Sequence, residues 1–267
     1  MTDPTDRKRA TATSFGAAAD SYLDSDVHRE GADLDRLASW CCGATRALDV
    51  ATGAGHTAGA IAEEGVPRVI AADAAPEMVA PAVSEFGGMT AAESGDLDGV
   101  VADAERLPFV DGSFDAVSCR IAAHHFPEPE RFVDEVARVL APGGTLAFED
   151  NVAPDDGELG AFINRVDEIR DPTHVEAYTT DQWRDWMDER GLVVEETVHL
   201  KKTLAFEPWV EAQSLPPEER DRVEGLLLDA RGDAAEFFEI RVEAGSVQSF
   251  ANLKALIRAH NRGDPER

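Results

Sequence analysis

Between Arg46 and Asp150 short apolar runs alternate with amphipathic stretches, and that alternation leaves the chain few architectures to choose from. Runs at 46–51, 67–72, 98–102, 114–121 and 144–149 read as strands, and the segments 56–64, 76–86 and 128–140 between them read as helices. A strand that returns through a crossover helix lies parallel to the one before it, so the predicted core is a Rossmann-like, doubly wound, mostly parallel α/β sheet. The best-marked helix is 128–140, where Phe132, Val133, Val136, Val139 and Leu140 form one stripe and Pro142-Gly143-Gly144 predicts the stop.

The flanks are less regular. Residues 1–13 are polar and small and are expected to form a mobile tail. Residues 14–45 read as helical, with apolar positions from Phe15 through Tyr22 to Leu34, Leu37 and Trp40 and a break near Gly31. The core is expected over 46–151, with 152–267 as the C-terminal part of the same domain. There a helix over 180–190 is predicted, capped by Thr180 or Asp181, with Trp183, Trp186 and Met187 on its buried side and a stop at Gly191. A strand over 192–205, helices over 207–241 and a strand over 247–259 follow. The two late strands pair as an antiparallel closing hairpin, making a seven-stranded sheet.

Charge narrows the function. The 267 residues carry 53 acidic and 25 basic side chains, a net charge of −28, and lysine occurs only at positions 8, 201, 202 and 254. Such a surface repels phosphate backbones and anionic lipid headgroups, so nucleic acid is not an expected partner. No apolar run is long enough to cross a bilayer, and no membrane insertion is expected. Cys41, Cys42 and Cys119 form no CxxC pair or even framework, which fits small apolar residues in a reducing cytoplasm.

The chemistry gathers at strand ends. The first βα junction reads Leu48-Asp49-Val50-Ala51-Thr52-Gly53-Ala54-Gly55-His56-Thr57-Ala58, in which glycines let a ligand approach the backbone. The GxGxxA spacing also fits a dinucleotide fingerprint, so a nicotinamide-dependent oxidoreductase stays open here, as does a binding protein without turnover. Asp49 favours a different ligand, because a carboxylate beside the glycine loop repels a pyrophosphate and attracts a cationic sulfonium. Asp73, 20 residues after Gly53, stands where an acceptor forks two ribose hydroxyls. Asp103 can accept from an exocyclic adenine amine, and Leu107-Pro108-Phe109 offers an apolar wall. Arg120 suits a carboxylate, either the cofactor's or that of an anionic substrate, or else an ion pair with one of the chain's many acids.

Together DVATGAGHTA, Asp73, VADAERLPFVDGSFDAVSCRIAAHHF and RVLAPGGTLAFED resemble the successive motifs of class I methyltransferases, and most nearly the ubiquinone/menaquinone-methyltransferase-like branch. The likeness covers about residues 15–150. More weakly, Tyr22, Ser25, His28 and Gly31 resemble that branch's N-terminal helical lid, and Arg170 to Val175 its post-core segment. The family often has glycine where this chain has Ala51, which leaves Gly53 and Gly55 as the essential pair.

The resemblance implies S-adenosyl-L-methionine as cofactor, no metal, and a small-molecule methyl acceptor related to quinone precursors. It implies a monomer or homodimer. Asp49, Ala51, Gly53 and Gly55 would hold the methionine end, Asp73, Ala74 and Met78 the ribose and adenine, and Asp103 and Ala104 the adenine edge. His124 and His125, just past the fourth strand, are the candidate general bases; neighbours project in different directions, so one of them is expected to face the substrate. His28, His56 and His174 are weaker candidates.

The acidity carries its own consequence. A chain this negative self-repels in dilute buffer, and salt relieves that repulsion, as in proteins adapted to high salt. Its melting temperature is expected to rise between about 50 mM and molar salt; a melt that does not move would show the acidity to have no such role.

Overall fold

The computed structural model describes residues 3–17, 31–87, 96–213 and 215–263. Tyr22, Ser25 and His28 lie outside the described residues. In chain order come α1 (Pro4–Ala17), α2 (Ala32–Trp40), β1 (Arg46–Val50), α3 (His56–Glu63), β2 (Arg68–Asp73), α4 (Pro76–Phe86), β3 (Asp96–Val101), β4 (Phe114–Arg120), α5 (Pro129–Val139) and β5 (Leu140–Asn151). A 3₁₀ turn, Ala123–His125, separates β4 from α5. Then follow α6 (Gly157–Arg170), α7 (Thr180–Glu189), β6 (Leu192–Ala205), α8 (Phe206–Glu211), α9 (Pro217–Asp229), α10 (Asp233–Phe237), β7 (Arg241–Glu243) and β8 (Ser246–Asn261).

The strands form one sheet in the order β3-β2-β1-β4-β5-β8-β6, with β7 pairing antiparallel to β8 off that path. The sequence predicts seven strands, and the short β7 is the eighth. Neighbours from β3 to β5 are parallel, and the chain reverses its direction of travel across the sheet between β1 and β4. That reversal is the switch point at which open α/β sheets bind ligands, outside the carboxyl ends of the strands.

Two compact units arise from this chain: one of 1–150, 184–198 and 256–267, the other of 151–183 and 199–255. In the first, small side chains on the strands, Ala47, Ala71, Ala116 and Ala147, let Ala58, Ile61 and Ala62 of α3 and Leu37 of α2 come down close, in a fully dry layer. The predicted stripe of α5 is buried as expected, Phe132 lying 6.3 Å from Phe148 of β5. The helix ends at Val139 rather than at the Pro-Gly-Gly turn, because Leu140 already pairs with Phe114. In the second unit Ile163 and Val166 of α6 pack with Phe206, Val223, Leu227, Phe238 and Phe250. The segment after α6 is tied down by its own polar groups. Asp171 accepts from the Thr173 backbone N–H at 2.8 Å and from Gln213 at 2.8 Å, and His174 Nε2 meets Asn164 Oδ1 at 2.9 Å.

Two local expectations change. Residues 4–17 form a helix, not a tail: none of the described side chains of α1 is buried, but Lys8 and Phe15 anchor it to groups described below. The cap of α7 is Thr179, one residue before the predicted positions. Thr179 Oγ1 accepts from the Gln182 backbone N–H at 3.2 Å while Gln182 Oε1 accepts from the Thr179 N–H at 2.9 Å, a reciprocal capping box.

Gly55, which precedes α3, has φ 89°, and a Cβ there would stand 2.6 Å from the Cβ and 3.0 Å from the Cα of Ala82 in α4. Gly55→Ala combines left-handed strain with a clash against backbone, and is expected to cost about 2–4 kcal/mol in a urea titration.

Candidate active site

The carboxyl ends of β1 to β4 open on a cavity of about 400 Å³, within the range that accommodates a small-molecule cofactor. Each strand end contributes by a different route. After β1, Ala51, Thr52, Gly53 and Ala54 line it; after β2, Asp73 and Ala74; after β3, residues 102–105; after β4, Arg120 to Ala122 and His125 to Pro127.

The loop after β1 is bent by two successive departures from ordinary backbone, Ala51 at φ 53° and Gly53 at φ 53°. A Cβ on Gly53 would meet nothing within 4 Å, so its hydrogen faces open space on the cavity wall. Gly55 serves differently: it does not line the cavity, and its missing side chain makes room for α4. Ala51 holds a left-handed conformation that costs a non-glycine residue on the order of 1–2 kcal/mol.

Asp49 is 1% exposed and lies behind that loop, outside the cavity lining. Its Oδ2 accepts from Thr52 Oγ1 at 2.6 Å and its Oδ1 from Ser118 Oγ at 2.7 Å, so it ties the loop to β4. Burial pushes its pKa up to about 6 against the pull of those two hydroxyls and of Arg120. Asp73 stands on the wall: Oδ2 accepts from the Gly53 N–H and Oδ1 from the Ala75 N–H, both at 2.9 Å. Burial raises its pKa, while these backbone donors oppose the shift. Met78 is fully buried in α4 and closes the same side, beside Ala74.

Asp103 is also on the wall, with a partner from α1 that no local pattern announces. Its Oδ1 accepts from the Glu105 N–H at 2.9 Å and its Oδ2 from Lys8 Nζ at 2.7 Å. The loop that follows is fixed by α5: Glu135 accepts from the Leu107 N–H at 2.6 Å, and Arg138 donates to the carbonyls of Phe109 and Leu107. Arg120 reaches the cavity as expected, yet its Nε donates to buried Glu149 at 2.9 Å and its Nη2 to buried Asp33 of α2 at 3.3 Å. The same guanidinium that could clamp a carboxylate thus already joins two.

The histidine pair divides as its geometry requires. His124 is held twice by buried Asp150, through its backbone N–H at 2.7 Å and its Nδ1 at 2.6 Å, and does not line the cavity. His125 does, with its ring 4.1 Å from that of His124 and edge-on to Phe15 at 4.9 Å. Immediately before them Ile121 has φ 52°, a conformation that is an outlier for a β-branched residue, and it too faces the cavity. His56 also lines the cavity, with its ring edge-on to Phe86.

Comparison with known proteins now decides the family. A methyltransferase domain model matches residues 48–148. The uncharacterized methyltransferase YcgJ of Bacillus subtilis is 34% identical over 248 residues, covering 92% of this chain and 96% of that protein. This chain belongs to the class I S-adenosylmethionine-dependent methyltransferases. Its fold agrees: the crystal structure of BH2331 from Bacillus halodurans, described as a methyltransferase, superposes with a TM-score of 0.82 at 35% identity over 87% of this chain and all of the other. The demethylmenaquinone methyltransferase of Thermus thermophilus is 38% identical over 125 residues, 45% of this chain and 53% of that protein. The oxidoreductase alternative is set aside by these relatives.

The cavity fits S-adenosylmethionine on its own terms. Gly53 leaves space at the loop, Asp73 offers carboxylate oxygens on the wall, and the methyl groups of Ala74 and Ala104 with Met78 supply apolar surface. What the sequence does not single out in this methyltransferase are Lys8, Arg9, Thr11 and Ala12 of α1, together with Asp150. Asp150 was within reach of the strand-end argument, since it closes β5 as Asp49 and Asp73 close β1 and β2.

An ionised carboxylate at Asp49 is expected to favour the sulfonium of S-adenosylmethionine over the neutral sulfur of S-adenosylhomocysteine. As pH falls through about 6 the carboxyl takes up its proton, and that attraction is lost. The affinity ratio of the two ligands, measured by calorimetry from pH 7.5 to pH 5, is therefore expected to fall by about two- to tenfold, and to be flat in Asp49→Asn.

Proposed function

We propose that this methyltransferase modifies a small, apolar acceptor of the quinone-precursor class, bound at the β4 end of the cavity, and that His125 receives the proton the acceptor loses. The observation that carries this reading is the composition of that end. Apart from Arg120, which is ion-paired, His125 is the titratable side chain among Ile121, Ala122, Phe126 and Pro127, with Phe15 above it. An apolar ring would replace water there, and a polar acceptor would find few partners.

The cofactor supplies an electrophilic methyl carbon on a cationic sulfur. The chain supplies position, which can account for about 7–11 kcal/mol of a barrier. Asp73 would hold the two ribose hydroxyls, Gly53 the methionine end through its backbone, Met78 and Ala104 the faces of the adenine, and Asp103 its amine. Asp49 adds negative charge from behind the loop. Asp150 fixes His124 with Nδ1 toward the carboxylate, and the His124 ring in turn backs His125, whose imidazole nitrogen takes the acceptor proton and passes it to solvent. A second support is the likeness over the core to demethylmenaquinone methyltransferases.

The test is turnover on a panel of reduced 1,4-naphthoquinones with and without an alkyl side chain, beside catechols and primary amines, read by mass spectrometry. Methylated naphthoquinols are the expected product; turnover confined to the amines would overturn the acceptor class. His125→Ala is expected to lower kcat by about 10²–10⁴-fold with S-adenosylhomocysteine binding intact, and a variant with undiminished kcat would remove the base.

A further inference from the structure

Helix α1 is the part of this molecule whose composition explains least about its position. It is mostly polar, and none of its described side chains is fully buried, so little in its sequence marks a docking face. Yet Lys8, Thr11, Ala12 and Phe15 all line the cavity, and their spacing, i, i+3, i+4 and i+7, is that of one helical face. Seven residues of helix span about 10 Å.

At one end of that face Ala12 and Phe15 pack on Ala75 and Met78, and the Phe15 ring meets His125. At the other, Lys8 Nζ lies 2.7 Å from Asp103 and 2.5 Å from Glu105, whose side chain is 1% exposed. The face therefore runs from the carboxylates after β3 to the histidine after β4, which are the two ends of the site.

Resting on the proposed role of Asp103 as acceptor of the adenine amine, we propose that Lys8 of α1 is a positioning residue for the cofactor, acting through Asp103. Glu105 is the buried carboxylate of the pair and Asp103, at 39%, the more exposed one. With Lys8 between them, Asp103 is held on the wall with one oxygen on Lys8 and the other on the Glu105 N–H. Without that cation two neighbouring carboxylates repel, and the one that can move is Asp103, which swings toward solvent and away from the adenine edge. Lys8 thus raises cofactor affinity by fixing the acceptor, although it occupies one of that acceptor's lone pairs.

The alternative sign is equally definite. If Lys8 only competes with the adenine amine for Asp103, its removal tightens binding.

The experiment uses the full-length protein and S-adenosylhomocysteine, with calorimetry for affinity and stopped flow for release. Lys8→Met is expected to weaken binding by about tenfold, mainly through faster release, and Lys8→Arg to stay within about threefold of the unmodified protein. In an Asp103→Asn background Lys8→Met is expected to add little, because the two act as one unit. Lys8→Met also leaves buried Glu105 without its cation, so the melting temperature is expected to fall by a similar amount in both backgrounds, whereas the loss of affinity is expected only where Asp103 is intact. Unchanged or tighter binding by Lys8→Met overturns the proposal. So does an equal loss in both backgrounds, which would make Lys8 a structural tether that does not act through Asp103.

Discussion

Asp49 is the pin on which the site turns. A carboxylate buried at the end of a central strand is costly unless its oxygens are satisfied, and here both are, one by the loop that follows β1 and one by the neighbouring β4. The pairing register sets Asp49 beside Ser118, so the hydroxyl is delivered by the sheet itself. Once the loop is tied at Thr52, residues 51–55 have to turn in little space, and the left-handed backbone at Ala51, Gly53 and Gly55 follows. The open floor of the cavity and the close seat of α3 against α4 are both outcomes of that turn.

Around this pin the molecule arranges acids in a graded way. Asp49 is sealed behind the loop, Asp73 stands on the wall with backbone donors on both oxygens, and Asp103 stands on the wall with a lysine. Glu149 and Asp33 are neutralised in part by Arg120, and Asp150 grips His124. Strand-end carboxylates so near one another would destabilise most folds. A cavity meant for a cation profits from them, and the local donors keep each oxygen in a defined direction.

The central sheet was legible because its signals are local and repeated. Strand and helix limits from 46 to 139 fall within a few residues of expectation, since apolar periodicity and turn residues there report directly on burial. The wall positions of Asp73, Asp103 and His125 were legible too, through the rule that ligands meet the carboxyl ends of strands. Three things were not. Polar composition hid α1, which docks through two ion pairs of a single lysine and the small apolar contact of Ala12 and Phe15 rather than through a long apolar stripe. The place of Gly55 against α4 and off the cavity lining was not legible either, because a glycine that makes room for a helix and one that faces a ligand look alike in sequence. For Arg120 the sequence leaves a clamp and an ion pair with one of many acids both open, and it does not say which acids, because Asp33 and Glu149 are 87 and 29 residues away, beyond any local pattern.

Ile121 has a bearing on how this enzyme could be altered. Changes that broaden an active site usually cost folding free energy, because they remove packed atoms from a well-fitted wall. At this position the direction is reversed: the backbone is held where a branched side chain is unwelcome, so a smaller or more permissive residue relaxes the chain at the same time as it enlarges the β4 end of the cavity. A single site where robustness and breadth of substrate rise together is an uncommon starting point for directed evolution.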